Sequence, residues 1–256
     1  MADNMKLDQS ARVERERQFY DVKGDPRTEQ RQPVPHACYF YYLKQLDIVR
    51  AAFLPRQSGA FLEIGSTTWV DWVEEAGVRP SRLVCINISQ REVEKGLKAS
   101  EFTTVKPEFC VMDAHHLDFP DHTFDAIFGG GILHHLEYEK ALKEIRRVLK
   151  PGGVIVFAEP MDMNPIARLA RHVNPEFRTE DETPFRMREL SICSSLFKTR
   201  FYFEQFSSVF AGGVSSRLFS KQSNILTRTA FWLDEKLLAI FPRLGPYYRY
   251  VLMVGE

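Results

Sequence analysis

Several short stretches of this 256-residue chain gather residue types that can do chemistry. Residues 59–73, GAFLEIGSTTWVDWV, hold an apolar run with one acid, Glu63, that stops at Gly65. A run of this kind leads into a nucleotide-binding turn, where glycines let the backbone approach a ligand. The expected Gly-x-Gly-x-Gly here reads Gly-Ser-Thr-Thr-Trp, so that Ser66 and Thr67 follow the one remaining glycine. Further on, VCINIS ends a strand-like run at Asn87 and Ile88, and CVMDAHH ends another at Asp113 and Ala114. Then Gly129, Gly130 and Gly131 precede His134 and His135. Imidazole, with a pKa of about 6.5, suits removal of a hydroxyl proton. Paired histidines also raise the question of metal, but no third ligand stands at helical or hairpin spacing, and no metal is expected.

The elements that would position these groups alternate from residue 60 onward. Strands are expected over residues 60–64, 83–88, 109–112, 124–128 and 154–158. Helices are expected between them over 69–76, 89–100 (opened by Ser89 as N-cap) and 136–149, the last stopped by Lys-Pro-Gly-Gly. Such alternation implies βαβ units, right-handed crossovers and a parallel sheet that binds ligands at its carboxyl ends. Gly65, Asn87, Asp113 and the Gly129–His135 stretch all fall at such ends. Upstream, residues 1–35 are polar and form an N-terminal arm or lid; the mixed charges of ARVERERQ (11–18) read as a solvated helix face. Residues 36–55 carry an apolar face at helical spacing, and with the alternating region complete a core over 36–160. Beyond Pro160 the alternation breaks. Residues 161–256 are expected to add cap insertions (161–199 and 212–246) and two last strands near 201–206 and 249–254 to the same domain.

Residues 110–160, CVMDAHHLDFPDHTFDAIFGGGILHHLEYEKALKEIRRVLKPGGVIVFAEP, closely resemble the second half of a class I S-adenosylmethionine-dependent methyltransferase domain of type 11. Asp-Ala at a strand end, Leu-x-Phe-x-Asp-x-x-Phe-Asp, Leu-His-His-Leu and Lys-Pro-Gly-Gly occur in the family's order. The resemblance covers about residues 40–160 and implies a Rossmann-like α/β fold: a central, mostly parallel seven-stranded sheet flanked by helices. It implies S-adenosylmethionine as cofactor and S-adenosylhomocysteine as product. Asp113 would accept the adenine amine beside the backbone of Ala114; the alternative is a helix cap. Asn87, with Ile88 beside it, stands where the family has an acid for the ribose hydroxyls, and an uncharged amide holds them more weakly. Glu63 would orient the methionine ammonium, cap nearby backbone amides, or both. Gly129 and Gly130 would leave room for the methionine part.

For the GSTTW loop two alignments are open. Thr67 and Trp69 replace glycines, or the loop is two residues shorter and Thr67 or Thr68 caps a helix whose Trp69 or Trp72 faces the sheet. Tyr39 and Tyr42 fall where the family places a lid, and Arg168 could meet an anionic acceptor group. His135, ahead of His134, would be the base, and His115 and His116 read as loop residues.

The bulk numbers fit an enzyme of small molecules. Lys+Arg and Asp+Glu are 34 each, so no global field draws the chain to nucleic acid. The four cysteines form no Cys-x-x-Cys pair, which suits a reducing compartment. The polar N-terminus is no secretory signal, no run approaches the ~18 apolar residues of a membrane span, and a cytoplasmic location is expected. The expected activity is methyl transfer to a small or lipophilic acceptor: a secondary metabolite, a quinone- or lipid-linked compound, or a sugar. Two alternatives stay open: an inactive relative serving as partner or scaffold, and a cofactor-binding enzyme of another reaction. The apolar stretch 230–241 and the segment after it could close the pocket, touch lipid or form a dimer face, so homodimer, heteromer and peripheral lipid contact all stay open.

Overall fold

The apolar runs from Ala60 onward assemble into one seven-stranded sheet. The structure is a computed structural model that describes residues 2–23, 34–165 and 183–256, with side chains from residue 11 to 22 in the first helix. Its strands are β1 (Ala60–Ile64), β2 (Arg82–Asn87), β3 (Glu108–Val111), β4 (Phe124–Gly130), β5 (Leu149–Pro160), β6 (Thr199–Glu204) and β7 (Tyr250–Gly255). They lie in the order β3-β2-β1-β4-β5-β7-β6, with β7 alone antiparallel to its neighbours. The helices are α1 (Ala2–Lys23), α2 (Tyr39–Phe53), α3 (Gln90–Ser100), α4 (Tyr138–Val148), α5 (Met187–Leu196), α6 (Ser208–Leu218) and α7 (Ile225–Ile240). This is the seven-stranded, mostly parallel α/β architecture that the resemblance implies.

Both faces of the sheet are covered, so its central strands are apolar on both sides. On one face Leu62, Ile64, Ile86, Ile127 and Ile155 pack with α4 and α5. On the other Phe61, Cys85, Ala126, Phe128 and Val156 pack with α2 and with Trp69, Trp72 and Val73. Strand alternation puts Glu63 on the same face as Phe61, beneath the segment that carries the tryptophans. The register Ile64↔Ile86 and Asn87↔Val111 brings the carboxyl ends of β1, β2 and β3 to one edge. β2 and β4 leave opposite sides of β1, and this reversal opens a crevice above β1 and β4.

The chain enters its helical segment directly after Thr68: Trp72 N donates to Thr68 O at 3.0 Å. Val70–Glu75 is wound as a π-helix, and Trp69 is fully buried against Phe109 on the sheet. The Trp69 ring therefore lies beneath the loop and takes no space above it. The helix expected over 136–149 is Tyr138–Val148, and Leu133–His135 forms a separate 3-10 turn. Within the expected insertions, α5 is part of the core through Leu190 and Cys193.

The α6–α7 pair rests on α2, where Tyr41 and Phe40 meet Phe231 and Lys44 pairs with Glu235 at 2.7 Å. Its anchor is the buried Asp234. One carboxylate oxygen accepts from Ser207 N and Oγ at 2.8 and 2.6 Å. The other accepts from Tyr41 Oη, Phe206 N and Ser208 N at 2.9, 2.9 and 3.2 Å. Asp234→Ala strands these donors and is expected to cost about 3 kcal/mol or more in urea unfolding, with a smaller loss for Asp234→Asn.

Candidate active site

A cavity opens at the carboxyl ends of β1, β2 and β4. Its floor is Ile64, Gly65, Thr67, Asn87, Ile88, Met112, Asp113, Ala114 and Gly130. Its far wall is Ile132, His135 and Leu136, and α1 covers it with Arg12, Val13, Glu16 and Tyr20.

The GSTTW loop turns through two left-handed residues, Gly65 at φ 118° and Ser66 at φ 61°. A serine in that conformation is uncommon and needs local support. Asn87 supplies it: Nδ2 donates to Gly65 O at 2.8 Å and to Ser66 Oγ at 3.1 Å, while Oδ1 accepts from Ser89 N at 2.9 Å. Asn87 lines the cavity with its amide already engaged, and Ser66 is buried outside the lining. Glu63 does not reach the cavity either. One of its oxygens accepts from Thr68 N and, at 3.1 Å, from Trp69 N. The carboxylate of β1 thus caps the following segment, and no threonine side chain does so. Burial pushes Glu63 up to about 7, against the pull of the Cys85 thiol and these backbone donors. Of the two readings weighed for Glu63, the geometry is that of the cap.

At the end of β3, Asp113 faces the cavity. Its Oδ1 receives His115 N at 2.9 Å and lies 2.6 Å from His115 Nδ1. Glu137 N donates to His115 Nε2 at 2.7 Å, which makes Nε2 the acceptor and Nδ1 the proton carrier. Burial tends to raise Asp113, but the His115 bonds outweigh it and hold the carboxyl below its ordinary value. Both bonds use Oδ1, which leaves Oδ2 for a ligand. His115 is therefore no plain loop residue: it is buried, lines the cavity and joins Asp113 to the start of α4.

The two histidines part company. His134 is buried outside the cavity lining, with Nδ1 2.7 Å from Glu159 Oε2. Glu159 Oε1 accepts from Ile132 N and Leu133 N at 3.0 and 2.8 Å. This pair fastens the turn after β4, so of the two histidines His134 is the one that packs. His135 lies in the cavity wall under α1. Its Nδ1 is 3.2 Å from Glu16 Oε2, its Nε2 is 3.2 Å from Tyr20 Oη, and Arg12 donates to its carbonyl at 3.1 Å. The 11–18 stretch is accordingly not a purely solvated face, since Glu16 is buried.

Gly130 and Gly131 line the cavity, but Gly129 does not: a Cβ there would fall 2.5 Å from Ile64 O, so this glycine permits β1 and β4 to pack closely. Tyr39 and Tyr42 are also absent from the lining. Tyr39 stacks edge-on with Phe40, and Tyr42 bonds to Asp71 and Glu75 on the π-helical segment. Helix α2 turns these rings away from the crevice, and α1 stands where an aromatic lid was expected. No residue of α6 or α7 lines the cavity. Arg168 lies outside the described residues. Among the described residues no group of three or more His, Cys, Asp or Glu could hold a metal.

Residues 62–157 match the family model described as a methyltransferase domain. Over these residues the chain is similar to that family, and its sheet has the class I methyltransferase fold. Beyond it, the chain is 27% identical over 146 residues to the O-methyltransferase cnsE of Penicillium expansum, covering 53% of this chain and 52% of that protein. It is 32% identical over 96 residues to a demethylmenaquinone methyltransferase of Staphylococcus epidermidis, covering 37% of this chain and 39% of that one. The chain thus spans about half, or less, of the curated relatives it matches. In fold it is similar to the N-methyltransferase NodS from Bradyrhizobium japonicum, solved in complex with S-adenosylhomocysteine, with TM-score 0.58, 13% identity and coverage of 95% of this chain and 97% of that one.

The first turn depends on Glu63, and its folded-state pKa above the usual carboxylate value has a definite sign. The folded state binds the proton more tightly than the unfolded one, so stability is full below pH ~4.5 and declines as pH rises towards about 7. Thermal melts across this window should fall for the wild type relative to Glu63→Gln, which keeps a capping oxygen without the charge. Asn87→Asp should cost about 1–3 kcal/mol in the same melts, because it sets a carboxylate oxygen against Gly65 O where an N–H donates now.

Proposed function

We propose that this chain transfers the methyl group of S-adenosylmethionine to a small, largely apolar acceptor, and that His135 takes the proton of an acceptor hydroxyl. The observation that carries this reading is that the open oxygen of Asp113 and the ring of His135 border the same cavity. The lining fits the cofactor in three respects. Asp113 Oδ2 can accept from an adenine amine beside Ala114. Gly65 and Gly130 keep side chains out of the floor, and Thr67 and Ile88 bound it. Asn87 fits less fully, because its amide hydrogens are spent on the loop; its Oδ1 keeps one lone pair for a ribose hydroxyl.

When bound, the cofactor supplies a sulfonium methyl group open to displacement. The rest falls to the chain. Val13, Met112, Ile132 and Leu136 give an apolar surface for the acceptor, and α1 keeps water from it. His135 accepts the hydroxyl proton, and the Glu16 carboxylate beside Nδ1 stabilises the imidazolium so formed. Tyr20, at Nε2, stands where an acceptor hydroxyl would relay or hand over that proton. An oxygen acceptor accords with the O-methyltransferase among the relatives, and a lipophilic one with the quinone methyltransferase.

Calorimetric titration with S-adenosylmethionine and S-adenosylhomocysteine tests the first half. Saturable binding is expected, weakened about tenfold or more by Asp113→Ala. Absence of binding at millimolar ligand would overturn the reading and favour a partner or scaffold role. With a methylated hydroxyl product in hand from an acceptor screen, His135→Ala is expected to lower kcat by about 10²–10⁴ while cofactor binding stays within a few-fold.

A further inference from the structure

The α6–α7 hairpin presents a surface that methyl transfer does not use. Phe210, Val214 and Leu218 recur every fourth residue along α6, and all are exposed. Ile225, Trp232, Leu233 and Ile240 lie along the outer side of α7, with Ile225 71% and Trp232 55% exposed, and Phe241 follows. The inner side of α7 holds Thr227, Ala230 and Asp234, which are buried. Rows of exposed aromatic and branched residues mark a binding surface.

The charges on this surface have one sign. Every exposed charged side chain from Ser208 to Tyr247 is basic: Arg217, Lys221, Arg228, Lys236 and Arg243. The two acids of the stretch are withdrawn, Asp234 into the core and Glu235 onto Lys44 at 2.7 Å. Lys236 also lies 6.0 Å from the ring of Trp232, with its cation above an aromatic face.

We propose that α6 and α7 dock on the surface of an anionic lipid bilayer. Apolar side chains enter the headgroup boundary while flanking cations meet anionic headgroups, which is how an interfacial helix binds. Among the described residues no helix is long and apolar enough to cross a membrane, so the attachment is peripheral. The charge pattern argues against a second copy as the occupant, because a two-fold interface would bring the same cations face to face.

The hairpin springs from the carboxyl edge of the sheet. It leaves β6 after Glu204 and returns to β7 at Tyr250, and both pair at the end of the sheet where β5 finishes at Pro160. Docking would hold the carboxyl edge of the sheet, with its cavity, close to the bilayer. The proposal does not depend on which reaction the cavity performs.

Trp232 makes the test direct. Of the three tryptophans, Trp69 and Trp72 are buried, so Trp232 alone reports on the surface. The full chain is mixed with vesicles of phosphatidylcholine plus phosphatidylglycerol, or of phosphatidylcholine alone, and followed by co-sedimentation and tryptophan emission. Co-sedimentation and a blue shift are expected with the anionic vesicles. Trp232→Phe should abolish the shift and still co-sediment. The pair Arg228→Glu with Lys236→Glu should weaken partitioning about tenfold or more, and the pair Leu218→Gln with Ile240→Gln should weaken it with the charge intact. Unchanged thermal melts show that these variants remain folded. Failure to bind either vesicle overturns the proposal, as does binding that ignores lipid charge. A blue shift that follows protein concentration without lipid, with a dimer in sedimentation equilibrium, overturns it in favour of a second copy.

Discussion

Both turns that frame the cavity hang on a carboxylate buried beneath backbone N–H groups. Glu63 receives Thr68 N and Trp69 N after β1, and Glu159 receives Ile132 N and Leu133 N after β4. Strand ends that stop inside a protein leave amides with no ladder partner, and burying them unpaired is costly. A carboxylate has enough lone pairs to satisfy two amides at once and sits on the strand itself, so it holds each turn at a fixed height above the sheet. Gly65, Gly130 and His135 take their places in the cavity only because these turns are pinned. The protein meets the same problem at the β6–α6 corner with Asp234.

The glycine turn and the end of β2 are one physical arrangement. Ser66 occupies a left-handed conformation that glycine would take without cost, and its Oγ and the Gly65 carbonyl both need donors. Asn87 has two amide hydrogens to give, and an acid has none. A loop without its later glycines is thereby compatible with an asparagine at the β2 end, and the same bond limits what Asn87 can offer a ribose.

The strands and their order were legible because a parallel sheet buried on both faces demands apolar runs, and its crossovers demand helices between them. Asp113 and Gly130 were legible because they end such runs. Other parts of the site were not. Glu159 sits one residue before Pro160 in an apolar strand, and its bonds to Ile132, Leu133 and His134 exist only once β5 lies beside β4. His115 could have been found from its Asp-x-His spacing, which lets one imidazole nitrogen and its own amide reach the same carboxylate oxygen. The aromatic residues of α2 were misplaced because periodicity shows that a helix has an apolar side, not which neighbour claims it. Here Phe231 of α7 claims Phe40 and Tyr41.

Helix α1 shows the same limit from the other direction. Its charge pattern gives no apolar stripe, so nothing local in it points to a packed position. Yet Glu16 is buried, and Arg12, Glu16 and Tyr20 each reach His135. A polar helix can cover a cavity where its charged groups find partners, and the ring and carbonyl of a histidine in a 3-10 turn provide three contacts here. The cover over the cavity is therefore held at its His135 end by electrostatic pairing more than by apolar burial. On the proposed mechanism, the groups that tie α1 down are also the ones that orient the base.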